Sequence, residues 1–593
     1  MIQKIGYLIL LLALGGGCEQ ASREYYVKHV RFPEGASLEE KIDMAARLVP
    51  SPSQEAWQQL ELTAFLHFGM NTFTDREWGD GKEDPAWFAP TGLDAEQWVR
   101  TLKESGFKMV ILTAKHHDGF CLWPTKTTTH SVTSSPWKNG KGDVVRELRE
   151  ACDKHGMKFG VYLSPWDRNA PCYGDSPRYN ELFVEQLTEL LTNYGEIHEV
   201  WFDGACAEGP NGKKQEYDWQ TFYETIQRLQ PRAVMAIMGD DVRWVGNERG
   251  LGRETEWSAT VLTPGIYARA EAQNSALGIN QQSQDLGSRD IIAKADELFW
   301  YPSEVDVSIR PGWFYHAEED DRVKSLPELA DIYFQSVGYN SALLLNVPPD
   351  RRGRIHENDS ARLREFARYL QATFSRNHIA RPDRAWDAKA GAAREYGTTD
   401  TLPVNVWMVQ EDISRGQRVE RFAVEAFVNG QWTKIGEGTT IGHKRLLRFP
   451  EIAAERFRLT ILESRGTAHI KEVGAFHAPS TGTLTAEDSW SDIPVEELRI
   501  SDGPQGTAAV IDGDRSSCWQ GEGKTEIILD LQTECDITGF VYVPPIEAGT
   551  PGTVYRYDCL ASRDGRTWTP CVEDGEFSNI MYNTAPRRVR ISR

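Results

Sequence analysis

The chain has 593 residues, too many for one hydrophobic core, so a catalytic domain with one or two appended modules is expected. Its formal charge of −21 repels a phosphate backbone and no Lys/Arg stripe offsets it, which excludes nucleic acid as an expected partner. The 19 Trp, with many Tyr and Phe, suit a protein that stacks on rings such as sugars, although most of them are expected in cores.

At the N-terminus, Lys4 precedes an apolar run from Ile5 to Leu14, and Gly15-Gly16-Gly17-Cys18 follows. This reads as a charged n-region, an h-region too short to span a bilayer, and small residues before a cysteine. The pattern resembles a bacterial lipoprotein signal, in which residues 1–17 are removed and the Cys18 thiol is lipidated; a plain cleaved signal peptide is the alternative. Either reading implies an exported protein; the lipoprotein reading places it in the cell envelope, periplasmic or surface-facing, meeting the membrane only through an N-terminal lipid. Export permits disulfides. The remaining cysteines, Cys121, Cys152, Cys172, Cys206, Cys518, Cys535, Cys559 and Cys571, show no CxxC or other metal spacing, and their pairing is not readable from spacing. Cys152 extends the apolar face of Val144 and Leu148 and is read as a core thiol.

Residues 23–376 form the expected catalytic domain, because from about Ser51 to Phe374 strand-like and helix-like stretches alternate. The candidate strands are Thr63 to Phe68, Met109 to Thr113, Phe159 to Leu163, Val200 to Phe202, Val234 to Met238, a stretch near Thr255 to Trp257, Val305 to Ile309 and Ala342 to Leu345. Helical faces lie between most of them, as in Phe183, Leu187, Leu190, Leu191 and Tyr194 at spacings of three and four. This repetition predicts a parallel (β/α)8 barrel, least regular in its later repeats. From about Asn377 the pattern changes to strands and tight turns, predicting two β-sandwiches, 377–482 and 490–593, with a junction near Pro479 to Ser489. Each contains a hairpin signal, Asn429-Gly430 before Trp432 and Asp564-Gly565 before Trp568. The second, with Ala509-Val-Ile-Asp-Gly513 and Cys518-Trp519, resembles the discoidin-like modules and is a candidate carbohydrate-binding module, although such sandwiches also serve simply to buttress a barrel.

Four polar stretches fall at predicted strand ends, where a parallel barrel keeps its chemistry. They are His67-Phe-Gly69, Lys115-His116-His117-Asp118-Gly119-Phe120, Tyr162-Leu-Ser-Pro-Trp-Asp167 and Trp201-Phe-Asp203-Gly204. In the last, an apolar strand ends abruptly in a carboxylate, so Asp203 is expected where the strand leaves the core for a cleft; capping the following turn is the other role open to it. The paired histidines lack HxH or HExxH spacing and are read as neutral partners of hydroxyls rather than zinc ligands. Glycoside hydrolysis needs two carboxyl groups, and Asp203 suits the ionised one. For the second, Glu248, Glu254 and Glu256 follow the fifth strand, and spacing alone does not choose among them.

The phrases His67-Phe-Gly, Glu77-Trp78, Lys115-His-His-Asp-Gly-Phe, Trp201-Phe-Asp-Gly, Ser308-Ile-Arg-Pro-Gly-Trp313-Phe-Tyr and Leu343-Leu-Leu-Asn346-Val-Pro-Pro resemble the α-L-fucosidases of glycoside hydrolase family 29. The resemblance covers the whole barrel. It implies that Asp203 attacks the anomeric carbon to form a fucosyl-enzyme ester, which water hydrolyses with retention. The run from Trp244 to Glu248 resembles the branch that prefers α-1,3/4-linked fucose, which implies Glu248 as acid/base ahead of Glu254 and Glu256. By the same comparison His67, Glu77, Trp78, His116, His117 and Tyr162 are expected to bind fucose hydroxyls, Trp313 to face the C5 methyl, and Trp201 to pack beside them. For Trp78 and Trp313 ordinary core burial is the competing expectation. No metal, nucleotide or other cofactor is expected, and the implied partners are fucosylated oligosaccharides or glycoconjugates. A sugar-binding lipoprotein without turnover, and an exo-glycosidase for a related sugar such as galactose, are the alternatives.

Overall fold

A computed structural model describes residues 29–481 and, with gaps, 493–591. The lipoprotein-type signal with Cys18, and residues 482–489 of the expected junction, lie outside the described residues.

The catalytic domain is built on one 8-stranded parallel sheet. Its strands in chain order are Leu62–Leu66, Met109–Lys115, Lys158–Leu163, Glu199–Phe202, Val234–Ile237, Arg243–Trp244, Ser303–Ser308 and Ala342–Asn346. Strands such as Leu62–Leu66, Met109–Lys115, Glu199–Phe202 and Ala342–Asn346 are covered on both faces, which is why they read as largely apolar runs. The eighth strand pairs with the first, Leu343 opposite Leu62 through Asn346 opposite Phe65. Only the fifth and sixth strands fail to form a full ladder, and the single bridge between Ala236 and Val242 nearly closes the barrel there. Helices such as Ala95–Glu104, Val144–His155 and Ser176–Asn193 wrap the outside. The predicted face of Phe183, Leu187, Leu190 and Leu191 is buried against the sheet, and so is Cys152.

The sixth strand departs from the sequence reading. It is Arg243–Trp244 and not a stretch near Thr255 to Trp257, which leads instead into Ala259–Thr260 of a small antiparallel sheet with Glu297–Trp300 and His29–Arg31. The reason is a buried charge. Arg243 is fully covered, donates to the Tyr301 and Trp257 carbonyls and pairs with Glu256, so this strand lacks the apolar signature of the others.

After the helix Glu357–Phe374, two 4-stranded antiparallel sheets form a sandwich around Trp407, Val409, Val424, Phe457 and Leu459. The Asn429-Gly430 hairpin forms as expected. Val428 pairs with Gln431 across the two turn residues, whose φ values of 52° and 80° suit a type I′ turn. This sandwich docks at the N-terminal ends of the barrel strands. There Lys444 and His443 meet Glu61, 2.5 and 2.9 Å away, and the His443 amide donates to Asn340.

In the C-terminal module, strand pairs Arg499–Asp502 with Ile528–Asp530, Gly539–Tyr542 with Arg587–Arg590, and Arg556–Ala561 with Thr569–Glu576 are antiparallel. Residues 562–568 connect the last pair, a longer turn than the Asn429-Gly430 one, organised by Asp564 accepting from the Arg566 and Thr567 amides.

Candidate active site

Asp203 stands one residue past the fourth strand, where the apolar run Val200-Trp201-Phe202 leaves the core. Both roles weighed for it are present, one on each oxygen. Oδ1 accepts the Ala205 amide at 2.7 Å and caps the turn. Oδ2 takes the Tyr162 hydroxyl at 3.1 Å and lies 3.8 Å from His117 Nε2. Its side chain keeps 27% of its surface exposed, so one carboxylate oxygen points into an open cleft while the other fixes the group.

Three histidines from the first and second strand ends surround this cleft, and burial keeps all of them neutral. It holds His67 and His117 down to about 4 and His116 well below the ordinary value. Their partners assign the tautomers. Asn346 Nδ2 donates to Ser308 Oγ and the Trp313 carbonyl, so its Oδ1 accepts from His67 Nδ1 at 2.9 Å. Ser164 donates to the Trp166 carbonyl and so accepts from His117 Nδ1 at 2.7 Å. Both rings therefore offer a bare Nε2 as an acceptor. His116 is the reverse: Asn71 Nδ2, also bonded to the Glu77 carbonyl, donates to its Nδ1, leaving Nε2–H as a donor. Two acceptors and one donor, with the His116 ring centre 4.1 Å from that of His117 and 5.8 Å from that of His67, form a surface matched to hydroxyl groups.

The far wall is the loop after the seventh strand. Glu77 accepts the Trp313 amide at 2.8 Å and the Phe314 amide at 3.1 Å, holding the indole over His67 with ring centres 5.0 Å apart. Trp313 Nε1 reaches Glu248 Oε2 at 3.3 Å. Asp203 and Glu248 thus belong to one continuous lining that runs through Tyr162, His116, His67 and Trp313. The α-L-fucosidase family profile matches residues 45–374. The chain belongs to the α-L-fucosidase family.

This fucosidase is a glycoside hydrolase of family 29, and its C-terminal module matches the F5/8 type C domain over residues 488–592. An Arabidopsis thaliana protein named α-L-fucosidase 1 is 42% identical over 468 residues, covering 73% of this chain and 88% of its own. The crystal structure of a Bacteroides ovatus protein assigned as an α-L-fucosidase is 60% identical with a TM-score of 0.78, covering 96% of this chain and 94% of that one. A Ruminococcus gnavus family 29 fucosidase solved in complex with fucose is 32% identical with a TM-score of 0.64, covering 73% and 95%.

The fold of the fucosidase separates the three candidate glutamates. Glu256 is buried between Arg243 and Arg253, an ion-pair triad within the protein. Glu254 points outward, with its side chain 69% exposed beside Arg445. Only Glu248 meets the site. Trp78 is 41% exposed at the rim, edge-on to His117 and Trp166, so core burial does not account for it. Trp313 is partly exposed and Trp201 is buried, stacked on Tyr162 with ring centres 5.2 Å apart. Within the predicted polar stretches, Lys115 and Asp167 take no part in the cleft: they pair at 2.9 Å, and Lys115 also donates to Gln186. Among the described residues no group of three or more His, Cys, Asp or Glu is arranged to hold a metal ion.

Two features escaped the sequence reading. His316 bridges Asp75 and Glu77, 2.9 and 2.8 Å from its two nitrogens. Burial opposes its charge, yet those two bonds raise its pKa to about 11, so it is an imidazolium that fixes Glu77. Inside the barrel, the indoles of Trp57, Trp201 and Trp244 donate to Glu199, Glu304 and Asp306 at 2.7, 2.9 and 2.8 Å. Burial pushes these carboxyls upward, Glu199 to about 8 and Asp306 to about 7. No local pattern announces either feature, since their members come from separate segments of the chain.

Proposed function

We propose that this fucosidase acts with retention on terminal α-1,3/4-linked fucose, with Asp203 as nucleophile and Glu248 as acid/base. The Asp203 carboxylate attacks the anomeric carbon while the Glu248 carboxyl gives its proton to the departing glycosidic oxygen, so one C–O bond forms as another breaks. Glu248, now ionised, removes a proton from water. The resulting oxygen displaces Asp203 from the same carbon, releasing fucose in its original configuration. The observation that carries this reading is the divided use of Asp203: Oδ1 is tied to the Ala205 amide and Oδ2 is aimed into the cleft, as an attacking atom must be.

His67 and His117 accept from fucose hydroxyls, His116 donates to one, and Glu77, Tyr162 and the exposed edge of Trp78 complete the polar side. The Trp313 face meets the C5 methyl, which disfavours galactose with its hydroxymethyl group there. The α-1,3/4 preference is supported by the run Trp244 to Glu248 and by the contact between Glu248 and the Trp313 indole.

Asp203→Ala should lower turnover by several orders of magnitude, and Glu248→Ala should regain activity with azide and yield a retained fucosyl azide. Azide rescue at Glu254→Ala or Glu256→Ala instead, or release of the opposite anomer by NMR, would refute the assignment. A panel of α-1,2, α-1,3, α-1,4 and α-1,6 fucosylated oligosaccharides tests the linkage, and a paired galactoside tests the methyl contact.

We further propose that the protein is exported and anchored by a lipid on Cys18, on the strength of the N-terminal pattern alone. Mass spectrometry of the mature N-terminal peptide should find a diacylglyceryl group there, and Cys18→Ser should move the enzyme from membrane to soluble fractions. An unlipidated mature N-terminus would sink this.

A further inference from the structure

Arg587 opens the strand Arg587–Arg590 of the C-terminal module, opposite Tyr542 in a two-stranded ribbon. Its ribbon neighbours Gly539, Phe540 and Tyr542 are only half-buried and Val541 is exposed, yet Arg587 is 7% exposed. A long cationic side chain on an open ribbon becomes that covered only when another surface lies on it.

The covering surface belongs to the barrel. The charges that act most strongly on Arg587 are those of Glu319, Arg322, Glu248 and Glu77, and Lys324 in turn feels Arg587. The charges of Glu318 and Arg322 also act on Tyr557 of the same module. Residues 318–324 follow the seventh strand and are tied to the site: Glu319 Oε2 accepts the Gly312 amide at 3.1 Å, next to Trp313, whose indole rests on Glu248. While the first sandwich occupies the N-terminal ends of the barrel strands, the second reaches the C-terminal ends, where the cleft opens. Glu248 is among the charges acting on Arg587, so the module meets the Glu248 side of the cleft, from which the leaving group departs.

We infer that the C-terminal module forms part of the active-site wall, and that Arg587 donates hydrogen bonds to the leaving-group sugar and so helps set substrate specificity. The inference rests on the reading of Glu248 as acid/base. A guanidinium has five N–H donors and no acceptor; here burial and Arg322 oppose its charge while Glu319, Glu248 and Glu77 support it. It is thereby suited to the hydroxyl and ring oxygens of a neutral saccharide rather than to capture of an anion. An aryl leaving group presents none of those oxygens.

The test compares 4-nitrophenyl α-L-fucoside with an α-1,3/4-fucosylated trisaccharide, using the full chain. Loss of a charged hydrogen bond corresponds to roughly 10–100-fold. Arg587→Ala should lower kcat/KM for the trisaccharide by that factor, mainly through KM, with a loss on the aryl fucoside about tenfold smaller. Arg587→Lys, which keeps the charge and three donors, should recover part of it. Equal losses on the two substrates, or no loss on either, overturn the inference. If Arg587→Ala melts early, the same substrate ratio is read from Arg587→Lys and Arg587→Gln, whose partial donors should give intermediate ratios; a ratio equal to that of the parent enzyme overturns it. Azide rescue at Glu248→Ala is a separate experiment. A substrate-selective loss with rescue at another carboxylate would keep Arg587 beside the leaving group and move only the acid.

Discussion

Replacing His316 by glutamine tests how far the site depends on a buried cation. His316 holds Glu77 at 2.8 Å and Asp75 at 2.9 Å, and Glu77 in turn holds the Trp313 and Phe314 amides. The Asp75 side chain is 50% exposed, so its arm contributes no more than about 1 kcal/mol. Glu77 is buried, and its charge-assisted bond contributes about 1.5–3 kcal/mol, of which a neutral glutamine amide restores about 0.5–1.5. The net loss is about 2 kcal/mol, or roughly 30-fold in the opening of the loop. Hydrogen exchange of a peptide covering residues 311–318 reads this locally, and protection should fall by that factor near pH 6.5. The dependence on pH has a definite sign. The ring has its ordinary value of 6.5 when the loop opens and about 11 when it is closed. Below 6.5 both states bind the proton and the contribution is complete. Above it only the closed state does, so the contribution falls by about 1.4 kcal/mol per pH unit as the pH rises toward the closed-state value. The gap between the parent and His316→Gln should therefore shrink about tenfold per unit, reach zero near pH 8 and reverse above it. A gap that stays constant from pH 6 to 9 would refute the imidazolium, and no gap at all would refute the clamp.

Two further perturbations separate structural carboxyls from reacting ones. Glu256→Ala leaves Arg243 and Arg253 buried without their carboxylate and should cost about 3–5 kcal/mol, seen as a lower melting temperature. Turnover per folded molecule should stay within about threefold, and a collapse of kcat with unchanged melting would place Glu256 in the chemistry instead. Glu304 and Glu199 are both pushed up by burial, Glu199 to about 8, so the folded chain keeps protons on them that the unfolded chain releases above the ordinary 4.5. Their contribution therefore falls as pH rises through that window, and Glu304→Gln, which removes one such proton, should flatten the decline in melting temperature between pH 5 and 8. Equal slopes in the two proteins would show that no proton is held there.

The contrast between Asp203 and Glu304 explains what could be read in advance. Parallel strands covered on both faces leave apolar runs, so seven of the barrel strands were legible, and the sixth was hidden by the buried charge of Arg243. An ionised carboxyl resists burial, and on that ground Asp203, at the end of such a run, was expected at the mouth of the cleft, where it stands. The same rule gives no hint of Glu199, Glu304 or Asp306, which sit inside the sheet. They escape it because burial keeps protons on them and indole N–H groups supply the missing bonds. Sequence states the residue type but not its proton, and the proton decides between a core partner and a reacting group. The choice among Glu248, Glu254 and Glu256 shows the complementary limit. All three are equally acidic in sequence, and they part only because Trp313, Arg445 and Arg243 arrive beside them from elsewhere in the chain. Arg587 extends this logic to the whole molecule: a residue at the far end of the chain lies within the field of Glu248 and Glu77, so the cleft is defined by contacts that no segment of the barrel encodes alone.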